Sequence, residues 1–308
     1  MFVRLLCVAL LGLGVAPAAA GEVWRAGEPM DTARSFFGTA VLGREIFVAG
    51  GASLLGPTDL VEAYDVQADY WRPVAPMPEG REQFAMAELG NEIYVAGGYT
   101  RGQEHPNADV RVYDTKSAQW STGPNLPSPR AGFGLVALRE HLYAIGGAGP
   151  AAARVLVLDR PAAAWREAAS LPEPRSLLGV VALGDRIYAI GGRGADGTVS
   201  RRVDIYDTLA DEWSRGPDLP GPRAGFAAAA VGGRIHVVGG VSGTKLTTLA
   251  DHLVLEGGAW RTATALPTPR QGLGAGAVGG TFVVIGGGSG AGVFALFTDL
   301  ANVELFGE

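Results

Sequence analysis

The chain has 308 residues, of which 47% are apolar and 18% are charged, and its formal net charge is −6. This composition allows a large buried core and argues against a wholly disordered chain. The negative charge and the lack of a basic run argue against nucleic acid, and against an anionic membrane surface, as the main partner.

The first 20 residues have the pattern of a secretory signal. Arg4 precedes the apolar run LLCVALLGLGV, which is too short to span a bilayer comfortably and leads into an A-x-A pattern at Ala18 and Ala20. We therefore expect a signal peptide over residues 1–20 and a single domain over residues 21–308. Cleavage would leave an exported protein, periplasmic or secreted, with no membrane insertion. The alternative is an uncleaved N-terminal anchor.

The one cysteine of the chain, Cys7, lies within that segment. The domain that follows therefore has no thiol and cannot contain a disulfide, a thiolate metal site or a cysteine nucleophile. A single large core does not need disulfides, whereas the cores of small secreted domains do. Glycine, proline or a charged residue interrupts every later apolar run, so none of these runs is a candidate transmembrane segment.

A six-fold repeat organises the rest of the chain. Stretches such as REIFVAGG, NEIYVAGG and DRIYAIGG end in a glycine doublet, and consecutive doublets lie 45 to 49 residues apart. A tryptophan stands 26 residues before each doublet, and an arginine stands ten residues after each tryptophan. Such fixed offsets over six periods indicate a repeat architecture. The doublets begin at Gly50, Gly97, Gly146, Gly191, Gly239 and Gly286; the tryptophans are Trp24, Trp71, Trp120, Trp165, Trp213 and Trp260; the arginines are Arg34, Arg81, Arg130, Arg175, Arg223 and Arg270.

Each period reads as four short strands, lettered a to d in chain order. Strand a follows the arginine, as in AGFGLVAL at 131–138, and strand b is the apolar run that ends in the doublet. Strand c is typified by VRVYD at 110–114, and strand d contains the tryptophan. Two-residue turns such as GN and GD join a to b, as a tight hairpin requires. Because β-branched and aromatic residues dominate strands b and c, and helical periodicity is absent, we expect an all-β fold.

A period near 45 residues with four strands is typical of one blade of a β-propeller. The glycine doublet, the Tyr-Asp pair of strand c and the tryptophan that follows it resemble the Kelch repeat family. The resemblance spans about residues 22–308 and implies a six-bladed propeller of four-stranded blades. Blades 3, 5 and 6 depart from the Tyr-Asp pattern, at 158–159, in HLVLEGG at 252–258, and at 306–307.

The repeat also predicts how the ring closes. Trp24 has no strands a to c before it, and the last strand c, VELF, has no strand d after it. We therefore expect residues 22–26 to pair with residues 302–306 and complete the last blade, which would cover edges that could otherwise pair with other chains. Strand a should be innermost around the central channel, because stretches such as AGFAAAAV supply small side chains where the blades crowd together.

Alternating strand directions give the propeller two different rims. The d–a and b–c connections share what we call the first rim, and the a–b and c–d turns share the second rim. The first rim collects the variable b–c loops and the six arginines, and loops on a rigid scaffold are a usual place for binding. Guanidinium groups such as those of Arg81, Arg130 and Arg223 could bind carboxylates or other anions. The alternative is that the repeated arginines tether loops or neighbouring blades.

Blade 2 breaks the symmetry of the repeat with polar residues in and just before strand a and with a long polar b–c loop, YTRGQEHPNADVR at 99–111. Acidic, basic and aromatic groups around one channel mouth are a reasonable binding site. The alternative is a solvated loop, with the channel-facing polar groups bound to water. The candidate binding residues are Arg81, Glu82, Gln83, Glu88, Tyr99, Arg101, Glu104, His105, Arg130 and Arg223.

We predict no catalytic residue, metal site or cofactor. The histidines do not show the His-x-His or His/acid spacing of a preorganised cation site. The sequence also has no Ser-centred elbow, phosphate-binding loop or dinucleotide fingerprint. The four histidines are His105, His141, His236 and His252.

The resemblance leaves two functions open. Kelch propellers commonly bind proteins or peptides at one rim, which implies an exported, non-catalytic interaction module for a protein or peptide, or for a glycan. The alternative is a sugar-active enzyme, because exported Kelch proteins include a six-bladed sialic-acid mutarotase. Sugar ring opening needs a general acid and base near one hydroxyl, and Glu82, Glu88 and His105 are conceivable groups. A copper radical oxidase resembling galactose oxidase is excluded, because it needs a Tyr–Cys cross-link. We favour the interaction module over an enzyme.

Overall fold

The computed structural model of the protein consists of β-strands joined by turns and loops. It describes residues 23–149, 152–159, 164–243, 247–290 and 298–307. The expected signal peptide over residues 1–20 lies outside the described residues. Within the described ranges, no helix is long and apolar enough to cross a membrane.

Six antiparallel four-stranded sheets form the blades of a propeller, as the sequence predicts. Strand β1 (Trp24–Gly27) comes first and belongs to blade 6. Blade 1 is β2 (Gly38–Leu42), β3 (Glu45–Ala49), β4 (Val61–Asp65) and β5 (Tyr70–Val74). Blade 2 is β7 (Ala85–Leu89), β8 (Glu92–Ala96), β10 (Val110–Asp114) and β11 (Gln119–Thr122), with the short strands β6 (Arg81–Glu82) and β9 (Tyr99–Thr100) at the first rim. Blade 3 is β12 (Gly134–Leu138), β13 (His141–Ile145), β14 (Val155–Asp159) and β15 (Trp165–Ala168).

The second half of the chain repeats this arrangement. Blade 4 is β16 (Gly179–Leu183), β17 (Arg186–Ile190), β18 (Val203–Asp207) and β19 (Glu212–Arg215). Blade 5 is β20 (Ala227–Val231), β21 (Arg234–Val238), β24 (His252–Glu256) and β25 (Ala259–Ala263), with β22 (Val241–Ser242) and β23 (Thr247–Thr248) in its b–c loop. Blade 6 is β26 (Gly274–Val278), β27 (Thr281–Ile285), β28 (Val303–Phe306) and the returning β1.

The innermost strands form a closed circle around the channel. Strand a of every blade contacts strand a of both neighbouring blades, and blade 6 contacts blade 1. Alanine, glycine and valine provide most of the channel lining, so the six strands can approach the axis closely. Strand b supplies the most buried residues of each blade, because it packs against both neighbouring blades. In blade 1, Ile46, Phe47 and Val48 are at most 2% exposed.

The N-terminal strand completes blade 6, which confirms the predicted closure. Strand β1 pairs antiparallel with β28, with Trp24 opposite Phe306 and Gly27 opposite Val303. The Trp24 ring lies 5.1 Å from the Phe306 ring and 5.3 Å from the His252 ring of blade 5, centroid to centroid. The first described strand therefore joins the last blade to the blade before it.

The six tryptophans form an outer ring of hydrogen bonds between blades. Each indole N–H donates to the main-chain carbonyl four residues after the tryptophan of the preceding blade, at 2.8 to 2.9 Å. Trp71 of blade 1 thus binds the carbonyl of Glu28, and Trp24 of blade 6 binds that of Thr264. The fixed spacing of tryptophan in the sequence follows from this contact, because every donor needs an acceptor at the same place in the preceding period.

The arginines and the glycine doublets form a second ring. The second glycine of each doublet donates its N–H to the carbonyl of the arginine that opens the next blade, at 2.7 to 3.0 Å. Both glycines have positive φ, 52° to 75° for the first and 85° to 106° for the second, which a residue with a Cβ rarely adopts. A Cβ on the first glycine would also lie only 2.5 to 2.9 Å from that arginine carbonyl. The doublet is therefore required for docking one blade against the next.

A third ring surrounds the channel at the first rim. The residue two positions after each arginine has a φ of 51° to 61° and donates its N–H to the equivalent carbonyl of the preceding blade, at 2.6 to 2.9 Å. The bond from Phe36 of blade 1 to Gly272 of blade 6 closes the cycle. The six members are Phe36, Gln83, Gly132, Leu177, Gly225 and Gly272.

We expect Trp24→Ala to lower the free energy of unfolding by about 3 kcal/mol, the low end for removing a large packed aromatic. The substitution removes the ring contacts with Phe306 and His252 and the hydrogen bond to Thr264. Urea unfolding followed by circular dichroism measures the change. The neighbouring Val23→Ala is the control, because Val23 is 67% exposed and its loss should change stability by less than about 0.5 kcal/mol. Equal stabilities of the two variants would contradict closure by β1.

A matched pair of glycine substitutions tests the doublet. A Cβ on Gly98 would lie 2.6 Å from the Glu82 carbonyl oxygen, whereas one on Gly102 would meet no atom within 4 Å. Both residues have positive φ, so both alanine variants carry the same kind of backbone strain. Gly98→Ala should therefore be less stable than Gly102→Ala by about 1–3 kcal/mol, the cost of forcing atoms into a packed site. Similar urea midpoints for the two variants would show that the packing around the second glycine of the doublet does not require glycine.

Candidate binding site on the first rim

Two short strands shape the first rim at blade 2. Strand β6 pairs with β9, so that Arg81 lies opposite Thr100 and Glu82 lies opposite Tyr99. The pairing fixes the start of the long b–c loop beside the segment that leads into strand a. Residues that are 17 and 19 positions apart in the sequence thereby become neighbours at the first rim.

The structure brings five of the predicted residues around one open depression of about 510 Å³. Backbone and side chains of both rim segments of blade 2 line it, and Pro57 of blade 1 contributes to one side. His105 is exposed and follows Glu104 directly, but it does not line the depression. The predicted residues in the lining are Glu82, Gln83, Tyr99, Arg101 and Glu104.

Arg101 joins this depression to the b–c loop of blade 1. Its Nη2 atom donates a hydrogen bond to the carbonyl of Leu55 at 2.8 Å. Leu54 and Leu55 project outward there, 73% and 81% exposed. Two exposed leucines side by side therefore border a polar depression, which the sequence reasoning missed. Their position in a b–c loop of variable length could have indicated, from the sequence, that these leucines are exposed.

Two carboxyl groups from distant parts of the chain meet at the same mouth. Burial raises the pKa of Glu82 above its ordinary value, and the negative charge of Asp299 raises it further. Burial also raises the pKa of Asp299, and a hydrogen bond with Ser35 offsets part of that effect. The Oδ1 atom of Asp299 is buried with no hydrogen-bond partner among the described residues. Nothing in the sequence indicates that Asp299 lies near Glu82, because they are 217 positions apart.

The three candidate arginines lie inside the wall of the propeller. Arg81, Arg130 and Arg223 are at most 3% exposed, and each donates to the carbonyl of the first doublet glycine of its own blade, at 2.7 to 3.4 Å. Arg81 also pairs with Glu79, and Arg223 pairs with Asp251 at 3.3 Å. Burial lowers the pKa of both Arg130 and Arg223 to about 10, so they remain cationic at neutral pH. These groups hold the rim in place and are not part of its surface.

The structure does not bring Glu88 to this mouth. Glu88 lies six residues beyond Glu82, near the far end of strand a, and six residues of extended chain span at most about 20 Å. It pairs with Ile93 next to the a–b turn and lines the channel near the second rim. Grouping Glu88 with the rim residues overlooked the length of strand a.

The groups that remain at the mouth are hydrogen-bonding and acid–base groups. No cluster of three or more His, Cys, Asp or Glu side chains suited to a metal ion occurs in the described part of the chain. Carboxyl, amide, phenol and guanidinium groups can bind a polar ligand, and a carboxyl with a raised pKa can also transfer a proton.

Comparison with known proteins agrees with this architecture. The Kelch motif matches residues 33–78, 80–127 and 174–220, each a period from the arginine to just beyond the tryptophan. These are blades 1, 2 and 4, the three that keep Tyr-Asp in strand c. No curated protein matches the chain by sequence.

Similarity to solved structures is extensive but concerns the fold. The structure of YjhT superposes with a TM-score of 0.79 at 17% sequence identity, over 89% of this chain and 95% of YjhT. In all, 782 chains of solved structures match, so the fold by itself does not select a function. The chain is therefore a six-bladed β-propeller in which three blades match the Kelch motif.

Proposed function

We propose that this protein is an exported, non-catalytic binding module that holds a protein or peptide on the first rim of blades 1 and 2. The observation that carries the proposal is the pair of exposed leucines, Leu54 and Leu55, beside the polar depression of blade 2. The signal-like residues 1–20 support export. The framework of the rim is rigid, because the buried arginines and three rings of hydrogen bonds hold it.

The surface has the composition of a protein-binding site. Adjacent apolar side chains supply area that a partner can bury, at roughly 25 cal/mol per Å² removed from water. Arginine and tyrosine are among the residues that most often dominate binding energy; Arg101 contacts the Leu55 carbonyl, and Tyr99 lines the same depression as Arg101. Glu82 and Glu104 add negative charge at the same place. A peptide would match this surface if it placed an apolar side chain on the leucines and a basic side chain near Glu82 and Glu104.

Peptide display on the full chain tests this function. A random peptide library should yield peptides with an apolar anchor and a basic residue, and their affinities can be measured by fluorescence anisotropy. Leu54→Asp/Leu55→Asp should weaken binding at least tenfold, about 1.4 kcal/mol, because the apolar anchor loses its contact. Arg101→Ala should weaken binding as well, because it removes a polar contact and the link between the two loops.

The matched control is Leu209→Asp, which changes a leucine that is 70% exposed on the c–d turn at the second rim. This variant should bind the peptides as the wild type does. Peptides that bind the wild type and the rim variants equally would rule out the first rim as the binding surface.

A sugar-active enzyme is a second candidate, favoured by the carboxyl groups of Glu82 and Asp299. Raised pKa values let one of two neighbouring carboxyl groups stay protonated as an acid while the other acts as a base. The buried Oδ1 of Asp299 has no hydrogen-bond partner among the described residues, so it has the capacity to accept one. The resemblance to the Kelch family, which includes a sialic-acid mutarotase, adds support for this chemistry.

NMR measurement of anomer exchange tests the second candidate. If it is correct, the wild type should accelerate the exchange of sialic acid or of a common aldose, and Glu82→Gln or Asp299→Asn should slow it at least 100-fold, the usual contribution of one acid or base. Leu54→Asp/Leu55→Asp should leave this rate unchanged. Anomer exchange at the uncatalysed rate for every sugar tested would leave only the binding module.

A further inference from the structure

The channel near the second rim contains one layer in which a single residue is acidic. Strands a and b are paired in the same register in every blade, so the residues seven positions after the six arginines lie at one level of the channel. Each of them is partly exposed, as expected for a side chain that faces the channel. Five are small or aliphatic and one is acidic: Val41, Glu88, Ala137, Ala182, Ala230 and Ala277.

This layer belongs to a cavity of about 310 Å³. Glu88 is the one ionisable group among its lining residues, and Thr39 is the one other residue there with a polar side chain. The Thr39 hydroxyl is engaged, because it donates to the carbonyl of Ala275 at 3.0 Å. The rest of the wall is formed by Ala, Val, Leu, Met and Gly. A single carboxyl therefore faces an otherwise aliphatic space.

We propose that this end of the channel binds a small alkylammonium ion, with Glu88 as the counter-ion of its amine and the aliphatic wall around its alkyl chain. The cavity falls at the lower end of the size range of ligand pockets, which is about 300–1,000 Å³. Four alanines in the layer of Glu88 leave the space into which an alkyl chain fits. Anions are repelled by the carboxylate, and a neutral polar molecule finds one partner only.

The surroundings of Glu88 explain why it would select a cation. Burial raises its pKa, and main-chain hydrogen bonds from its own strand and from Val41 offset part of that effect. No titratable side chain faces it from any strand that lines the cavity. The lining of the cavity contains no cationic side chain that could pair with the carboxylate. An ammonium group would therefore supply the missing positive charge.

Binding of n-hexylammonium to the full chain, followed by methyl NMR of Met86 and of the lining alanines, tests the proposal. Met86 lies one layer along the channel from Glu88 and reports on this cavity. The expected result is saturable binding of n-hexylamine and at least tenfold weaker binding of n-hexanol, which has nearly the same shape but no charge. Glu88→Gln should weaken amine binding at least tenfold. Ala230→Leu, which fills the cavity from the opposite blade, should also weaken it.

Two further measurements separate this site from the first rim. Glu82→Gln should leave amine binding unchanged, because Glu82 lies at the other mouth. Because the pKa of Glu88 is raised, binding should be lost on acidification at a pH above the ordinary pKa of glutamate, about 4.3, as the carboxylate becomes protonated. Equal affinity for n-hexanol, full affinity in Glu88→Gln or no binding by the wild type would each overturn the proposal.

Discussion

Hydrogen bonds between neighbouring blades are the constraint on which the structure depends. Three rings of such bonds run around the propeller, one through the tryptophans, one through the arginines and doublets, and one around the channel. A four-stranded blade alone would leave its two apolar faces exposed, so it needs both neighbours to become stable. Each ring demands a donor and an acceptor at the same place in every blade. The most regular residues of the sequence are therefore the ones that face another blade.

The difference between residues that bond to another blade and residues that do not indicates where a ligand can bind. An arginine that donates to its own doublet and accepts from the preceding one cannot also serve a ligand, as Arg81 shows with its fully buried side chain. Residues that the rings leave free to vary can diverge in one blade without loss of the fold. At the first rim these are the side chains next to the inner ring and the b–c loops. Glu82, Arg101 and Leu55 belong to this group, whereas Arg130 and Arg223 do not.

Counting residues was enough to predict the fold but not the composition of the site. The unpaired Trp24 and the final VELF predicted the pairing of β1 with β28, because every blade of the closed ring needs four strands. The sequence also singled out blade 2. It could not place Asp299 near Glu82. Asp299 belongs to the b–c connection of blade 6, and the repeat does not predict the positions of residues in loops of variable length. The predicted position of Glu88 at the first rim is wrong, because the six positions from Glu82 to Glu88 span most of strand a and place Glu88 near the second rim.

Glu82 on β6 and Glu88 on β7 illustrate how one blade can place carboxyl groups in two different environments. Both have raised pKa values, but a second carboxyl contributes at Glu82 and none does at Glu88. At the first rim, a shared proton or a basic partner would relieve the repulsion between Glu82 and Asp299. In the channel, main-chain hydrogen bonds stabilise the carboxylate of Glu88 only in part, and the proposed alkylammonium ion would supply the positive charge that the alanines around it lack. Because the inner ring at Gln83 stands between them, each mouth can bind its own ligand without the other.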